Sequence, residues 1–179
     1  MKKEPQVVLG VTGSIAAFKA AQLASLLVQE GCGVHVVMTE EAEKFITPLT
    51  METVSRNKVS RTMFESPEVW DMAHISLAER ADLVVIAPAT ANCLAKLAAG
   101  ICDDLLTCVV TATKAPVLIA PAMNDGMYTH PATQENISRL KKFGYRFIGP
   151  CKGRLACGSE AIGRMSEPEE IAKAAKRLL

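Results

Sequence analysis

His74, Cys157, Asn92 and Asn124 are the side chains of this sequence best suited to move a proton or orient a polar ligand. Gly10-Val-Thr-Gly13-Ser14 is the stretch best suited to receive an anion. Histidine titrates near neutrality and is the most frequent proton carrier in active sites. A lone histidine such as His74, in DMAHISLAERAD, is more often a structural or exposed residue than a catalytic one. His35 alternates with valines and His130 precedes Pro131, so both read as structural or surface residues. Cys157 lies in GRLACGSEAIGRM, whose glycine punctuation predicts an irregular loop rather than a helix or strand. Its thiol is either a small hydrophobe in a turn or a group displayed for reaction.

The Gly/Ser stretch falls at a strand-to-helix turn, where backbone N–H groups and a helix N-terminus can face an anion and the Ser14 hydroxyl adds a donor. A strand–helix corner that needs glycine for its geometry has the same composition. The pattern is not G-x-G-x-x-G, and the next strand ends in Met38-Thr39 rather than an acid placed for a dinucleotide ribose. A mononucleotide with a terminal phosphate fits better. APATAN (87–92) and APAMN (120–124) are two similar strand exits, each with a proline where the strand stops and an asparagine offering donors and an acceptor.

These segments need strands that stop where the polar groups begin. Residues 7–11 and 34–38 read as strands and the continuous apolar runs over 83–87 and 116–120 as strands buried on both faces of a parallel sheet, with a short strand over 58–61 and another over 145–148. Between them, FKAAQLASLLVQEG, residues 40–56 broken near Pro48, ANCLAKLAAG, DDLLTCVVTAT, residues 133–143 and a last segment from Glu167 read as helices, with a short one just after His74. Strands alternating with helices predict an α/β fold: a Rossmann-like open parallel sheet with helices on both faces, in one domain spanning 1–179. Ligands in such sheets bind outside the carboxyl ends of the strands. That places the site in TGSIA, MTEE, APATAN, APAMNDGMY and the Cys157 loop.

Composition narrows the classes. The 179 residues are 49% hydrophobic but only 4% aromatic, so the core is mainly aliphatic. A net charge of +1, with both signs mixed along the chain, gives no footprint for nucleic acid or an anionic membrane. Apolar runs are broken by Pro88, Asn92 and Lys96, and no secretory leader is recognisable, so a cytoplasmic protein without a membrane span is expected. Cysteines at 32, 93, 102, 108, 151 and 157 form no C-x-x-C pair, which argues for reduced thiols and no metal.

VTGSIAAFKA, MTEEAEKFITPLT, AHISLAERADLVVIAPATAN, PAMNDGMY and LACGSEAIGRM, in that order, resemble the homo-oligomeric flavin-containing cysteine decarboxylases over nearly the whole chain. The resemblance implies FMN as cofactor, with Gly13, Ser14 and Thr39 near its phosphate and ribityl chain and Thr90 and Asn92 in a second flavin-contacting segment. It implies His74 as the catalytic histidine and Asn124 as the asparagine of a P-x-M-N-x-x-M motif that also brings Met127 to the substrate. Cys157, flanked by Ala156 and Gly158, becomes the cysteine of a flap over the substrate. It further implies a homo-oligomer, a trimer or a multiple such as a dodecamer, with FMN at subunit contacts. Tyr128 stands where the family often has tryptophan. Ala161 replaces the middle glycine of A-C-G-x-x-G-x-G, an exchange that costs about 1 kcal/mol if the position needs a positive φ.

The implied reaction is decarboxylation of 4'-phosphopantothenoylcysteine to 4'-phosphopantetheine in coenzyme A biosynthesis. Loss of CO2 from a cysteine carboxylate leaves charge on a carbon with no adjacent electron sink, and the acylated amine cannot form an imine with pyridoxal phosphate. Oxidation of the CH2–SH to a thioaldehyde creates the sink, and an enethiolate follows; reduction then restores the aminothiol. His74 then handles protons in the oxidative half, Asn124 orients the amide or carboxylate, and Cys157 protonates during reduction. Competing readings are a decarboxylase of a peptide's C-terminal cysteine, which lacks the LACG cysteine, and a flavin prenyltransferase, which lacks PAMN followed by LACG. A non-catalytic FMN-binding regulatory protein would be expected to carry long acidic extensions. An NAD-binding domain lacks its acid here.

Overall fold

Five segments, four of them mainly apolar, form one wholly parallel sheet in a computed structural model that describes residues 4–64, 73–154, 158 and 160–179. The strands are β1 (Gln6–Val11), β2 (Gly33–Met38), β3 (Leu83–Ala89), β4 (Val117–Pro121) and the two-residue β5 (Arg146–Phe147), in the order β2-β1-β3-β4-β5. The helices are α1 (Phe18–Gln29), α2 (Pro48–Ser55), α3 (Ala73–Arg80), α4 (Ala91–Ala99), α5 (Leu105–Ala112), the short α6 (Asp125–Thr129), α7 (Pro131–Lys142) and α8 (Pro168–Lys176).

The continuous apolar strands follow from burial on both faces. In β1, Val7, Leu9 and Val11 pack toward α1, α2 and α8, while Val8 points to the layer of α3, α4, α5 and α7. Side chains alternate along a strand, so a run with no polar partner face is needed to fill both layers. The expected strand over 58–61 is reduced to one parallel bridge between Ser60 and Val37, supported by hydrogen bonds from Met38 N–H to Ser60 and from Ser60 N–H to Val36. Among the described residues no helix is long and apolar enough to cross a membrane.

Helix starts match their sequence signals. Thr47 caps α2 ahead of Pro48, and Thr90 Oγ1 accepts from Cys93 N–H at the start of α4. At α5, Asp104 accepts from the Thr107 N–H at 2.8 Å while the Thr107 hydroxyl lies 3.3 Å from the Asp104 N–H, a reciprocal capping box.

The stretch expected as an irregular loop is largely a hairpin: β6 (Cys151–Arg154) pairs antiparallel with β7 (Glu160–Arg164). The glycines that argued against a strand are there for close approach. A Cβ on Gly163, whose φ is 141°, would stand 2.2 Å from the Met123 carbonyl oxygen, and Gly163 accepts the Met123 N–H at 3.0 Å. The hairpin therefore rests directly on the exit of β4. Ala161 sits inside β7 opposite Gly153, and Arg56 is the one described non-glycine residue with a positive φ. The glycine-to-alanine exchange thus carries no backbone strain.

Burial opposes ionisation of Asp104, yet the Thr107 N–H and the Lys96 ammonium together hold its carboxyl below the usual range. Its contribution is complete above the unfolded-state pKa and fades as pH falls through the lowered folded one. Asp104→Ala should cost about 1–2 kcal/mol in urea unfolding at neutral pH, with the difference from wild type shrinking in acid. Gly163→Ala should cost about 1–3 kcal/mol and expose the hairpin to faster tryptic cleavage at Arg154.

Candidate functional site

The sheet order reverses at β1, whose chain leaves toward β2 on one side while β3 lies on the other, which opens a crevice at their carboxyl ends. Thr12 closes the back of it. Its hydroxyl donates to the Pro88 carbonyl at 2.8 Å and accepts the Thr90 N–H at 3.1 Å, and its own N–H reaches the same carbonyl at 3.3 Å. Thr12 is buried, so these bonds form out of water and fix the β1 exit against the β3 exit.

Two cavities open beside this junction. The smaller, of about 260 Å³, is lined by Gly13, Thr39, Thr90, Asn92 and Met127 together with Glu41, Lys96 and Asp104. A Cβ on Gly13 would stand 2.3 Å from the Glu41 Cβ, so the β1 turn fits against the segment after β2 only as glycine. Thr39 Oγ1 accepts the Ala42 N–H and Thr90 Oγ1 the Cys93 N–H, which aims both hydroxyls at the exits. The larger cavity, of about 620 Å³, is lined by Ser14, Asn124, Ile15, Phe18, Met123 and Met165, with Lys19, Arg154 and Arg164 on its wall. Ser14 Oγ caps a 3-10 turn at Ala16 N–H, and Asn124 Oδ1 caps α6 at Gly126 N–H. Gly13 and Ser14 are consecutive, so the two cavities flank one turn.

The expected residues divide accordingly. Gly13, Thr39, Thr90, Asn92 and Met127 share one cavity; Ser14 and Asn124 share the other. His74, in the first turn of α3, lines neither, and its Nδ1 is buried with no hydrogen-bond partner among the described residues. Gly158 is exposed with a φ of 90°. Ala156 and Cys157 lie outside the described residues.

Electrostatics separates the two chambers. Lys96 binds Asp103 at 2.8 Å and Asp104 at 3.0 Å, and these hydrogen bonds, Asp103 first, push it up to about 12. Burial pushes the Cys93 thiol of the smaller cavity up to about 12 as well, so it stays a neutral, unreactive thiol. Across the larger cavity, Glu167 holds the Lys19 ammonium at 2.8 Å and also meets the Arg164 guanidinium; Lys19 first, then Arg164, keep it below the usual carboxylate range. Thr12, Lys19, Arg154 and Arg164 escaped the reading of the sequence. Only Thr12 carried a signal, by its place between the two glycines of the turn. Among the described residues no cluster of three or more His, Cys, Asp or Glu is arranged to hold a metal ion.

The arrangement fits a flavin mononucleotide. Hydroxyls, an asparagine and a glycine cradle in the smaller chamber suit a phosphate and polyol, with the α4 N-terminus directed there, although Glu41 opposes a close anion. Ile15, Phe18 and the two methionines of the larger chamber offer an apolar surface for a ring.

A family model described as Flavoprotein matches residues 1–179. The Bacillus subtilis coenzyme A biosynthesis bifunctional protein CoaBC is 49% identical over 177 residues, which cover 99% of this chain and 44% of that protein. The chain thus spans less than half the length of the bifunctional relatives it matches. A probable phosphopantothenoylcysteine decarboxylase of Streptococcus mutans is 44% identical over 168 residues, covering 93% of this chain and 94% of that one. Among solved structures, a cysteine-to-serine variant of PPC decarboxylase complexed with pantothenoylaminoethenethiol superposes with a TM-score of 0.86 at 33% identity, covering 98% of each chain. The FMN binding protein AtHal3 gives a TM-score of 0.85 at 34% identity, covering 98% of this chain and 96% of that one. With a matching model over its full length and relatives of this identity, the chain belongs to the flavoprotein family.

Proposed function

We propose that residues 1–179 are an FMN-dependent decarboxylase domain that converts 4'-phosphopantothenoylcysteine to 4'-phosphopantetheine and CO2 in coenzyme A biosynthesis. The observation that carries the reading is the meeting of the β1 and β3 exits through Thr12, which sets a polar and an apolar chamber side by side. The names of the relatives support the substrate, and the FMN-binding neighbour supports the cofactor. Bound FMN would supply a reversible two-electron acceptor for the substrate CH2–SH group.

Gly13, Ser14, Thr39, Thr90 and Asn92 hold the cofactor in this reading. Asn124, with its side-chain carbonyl fixed by the α6 cap, orients the substrate amide or carboxylate, and Met127 packs beside it. His74 takes up the proton released in the oxidative half, and its unpartnered Nδ1 suits a group that completes its contacts only when the site is assembled. Cys157, with Ala156 and Gly158 as its sequence neighbours, returns a proton in the reductive half. Assembly as a trimer or a multiple of trimers would let His74 of one copy reach the cavities of another, consistent with its lining neither cavity of its own chain. A cytoplasmic location fits such a pathway.

The test is an absorption spectrum of the purified protein followed by LC–MS of its reaction with phosphopantothenoylcysteine. A flavin spectrum and a product lighter by CO2 are expected; a colourless protein that takes up no FMN sinks the reading. Cys157→Ser should still release CO2 but accumulate the oxidised enethiol, and full formation of phosphopantetheine would remove Cys157 from the reductive half. His74→Asn should retain flavin with decarboxylation reduced about 100-fold or more. Turnover at the wild-type rate would remove His74 from the mechanism.

A further inference from the structure

The larger cavity has a charge pattern that decarboxylation does not use. Its wall carries Lys19, Arg154 and Arg164, and none of the described residues lining it is acidic. The smaller cavity has the opposite balance: Glu41 and Asp104 against Lys96, which is already committed to Asp103 and Asp104. An added anion therefore finds favourable potential on one side of the Gly13–Ser14 turn far more than on the other.

The cations are positioned rather than scattered. Glu167, outside the cavity wall, binds both Lys19 and Arg164, so one carboxylate faces two positive charges. The Arg164 side chain lies across Gly153, where a Cβ would stand 3.2 Å from both its Cδ and its Nη1. That brings it alongside the strand position next to Arg154. Arg154 has no ion-pair partner among the described residues. Two guanidinium groups on one short hairpin, with charge left over, favour a doubly charged ligand with oxygens for both forks. The same cavity continues from these cations to Asn124.

We propose that Arg154 and Arg164, with Lys19 at their edge, bind the terminal phosphate of the substrate, a phosphomonoester dianion, where the β6–β7 hairpin lines the larger cavity. This rests on the reading of the substrate as a phosphorylated acyl-cysteine.

The FMN-loaded enzyme is assayed with phosphopantothenoylcysteine and with the same compound lacking the phosphate, comparing wild type, Arg154→Gln and Arg154→Lys, with bound flavin measured by absorbance. Arg154→Gln should raise KM for the phosphorylated substrate about 10- to 100-fold with kcat little changed, and the preference for that substrate should fall by a similar factor. Arg154→Lys should recover part of the loss, and bound flavin per chain should stay at the wild-type value. Equal changes for both substrates, no change for either, or loss of flavin (which would assign the cation to the cofactor phosphate) overturns the site. Wild-type enzyme that turns over neither compound overturns the decarboxylase reading and this site with it. Wild-type turnover without discrimination overturns the phosphate site alone.

Discussion

The Thr12 hydroxyl, bonded to Pro88 and Thr90 out of reach of water, is the constraint from which the rest of the site follows. Parallel strands set by backbone ladders alone can diverge once the ladder ends. Here the ladder between β1 and β3 ends at Gly10 and Ile86, and the side chain of Thr12 carries the registration onward for the few residues that matter. A donor and an acceptor are both needed at that point, and threonine supplies them on one atom. Gly13, Ser14, Thr90 and Asn92 then occupy fixed positions because each lies within two residues of one of the bonded partners.

A second layer of order comes from charge. Lys96 and Asp104 neutralise each other below the smaller chamber while Asp104 also caps α5, so one carboxylate stabilises a helix and holds a cation. Glu167 does the analogous work on the other side, tying α1 and the hairpin to the start of α8. These pairs are partly exposed and each contributes little to stability. Their consequence is spatial: they decide which chamber is left with uncompensated positive charge.

Much of the scaffold was readable because burial on both faces leaves a plain mark. The strand cores at 83–87 and 116–120 are continuous apolar runs, and the helix starts at Thr47, Thr90 and Asp104 carry capping residues. The hairpin was not readable, since glycines needed for close approach, such as Gly163 under Met123, look the same in sequence as glycines needed for a turn. The segment over 58–61 has a single apolar residue, Val59, and at the sheet edge it finds backbone partners at a single bridge. Topology pointed to the segments at the strand exits, and the family resemblance singled out Gly13, Thr39, Thr90 and Asn92 within them. Arg154 and Arg164 were invisible because two arginines ten positions apart mean nothing until antiparallel pairing folds one strand back on the other.

The hairpin meets the β4 exit through the backbone bond between Met123 and Gly163, and it contributes no strand to the five-stranded sheet. Most of its residues can therefore change without passing through a misfolded intermediate, whereas the β1 and β3 exits are locked by burial. Such a division puts the Thr12 junction on the sheet and part of the larger cavity's wall on an appendage outside it. New specificities in this architecture would arise most readily by rewriting β6 and β7.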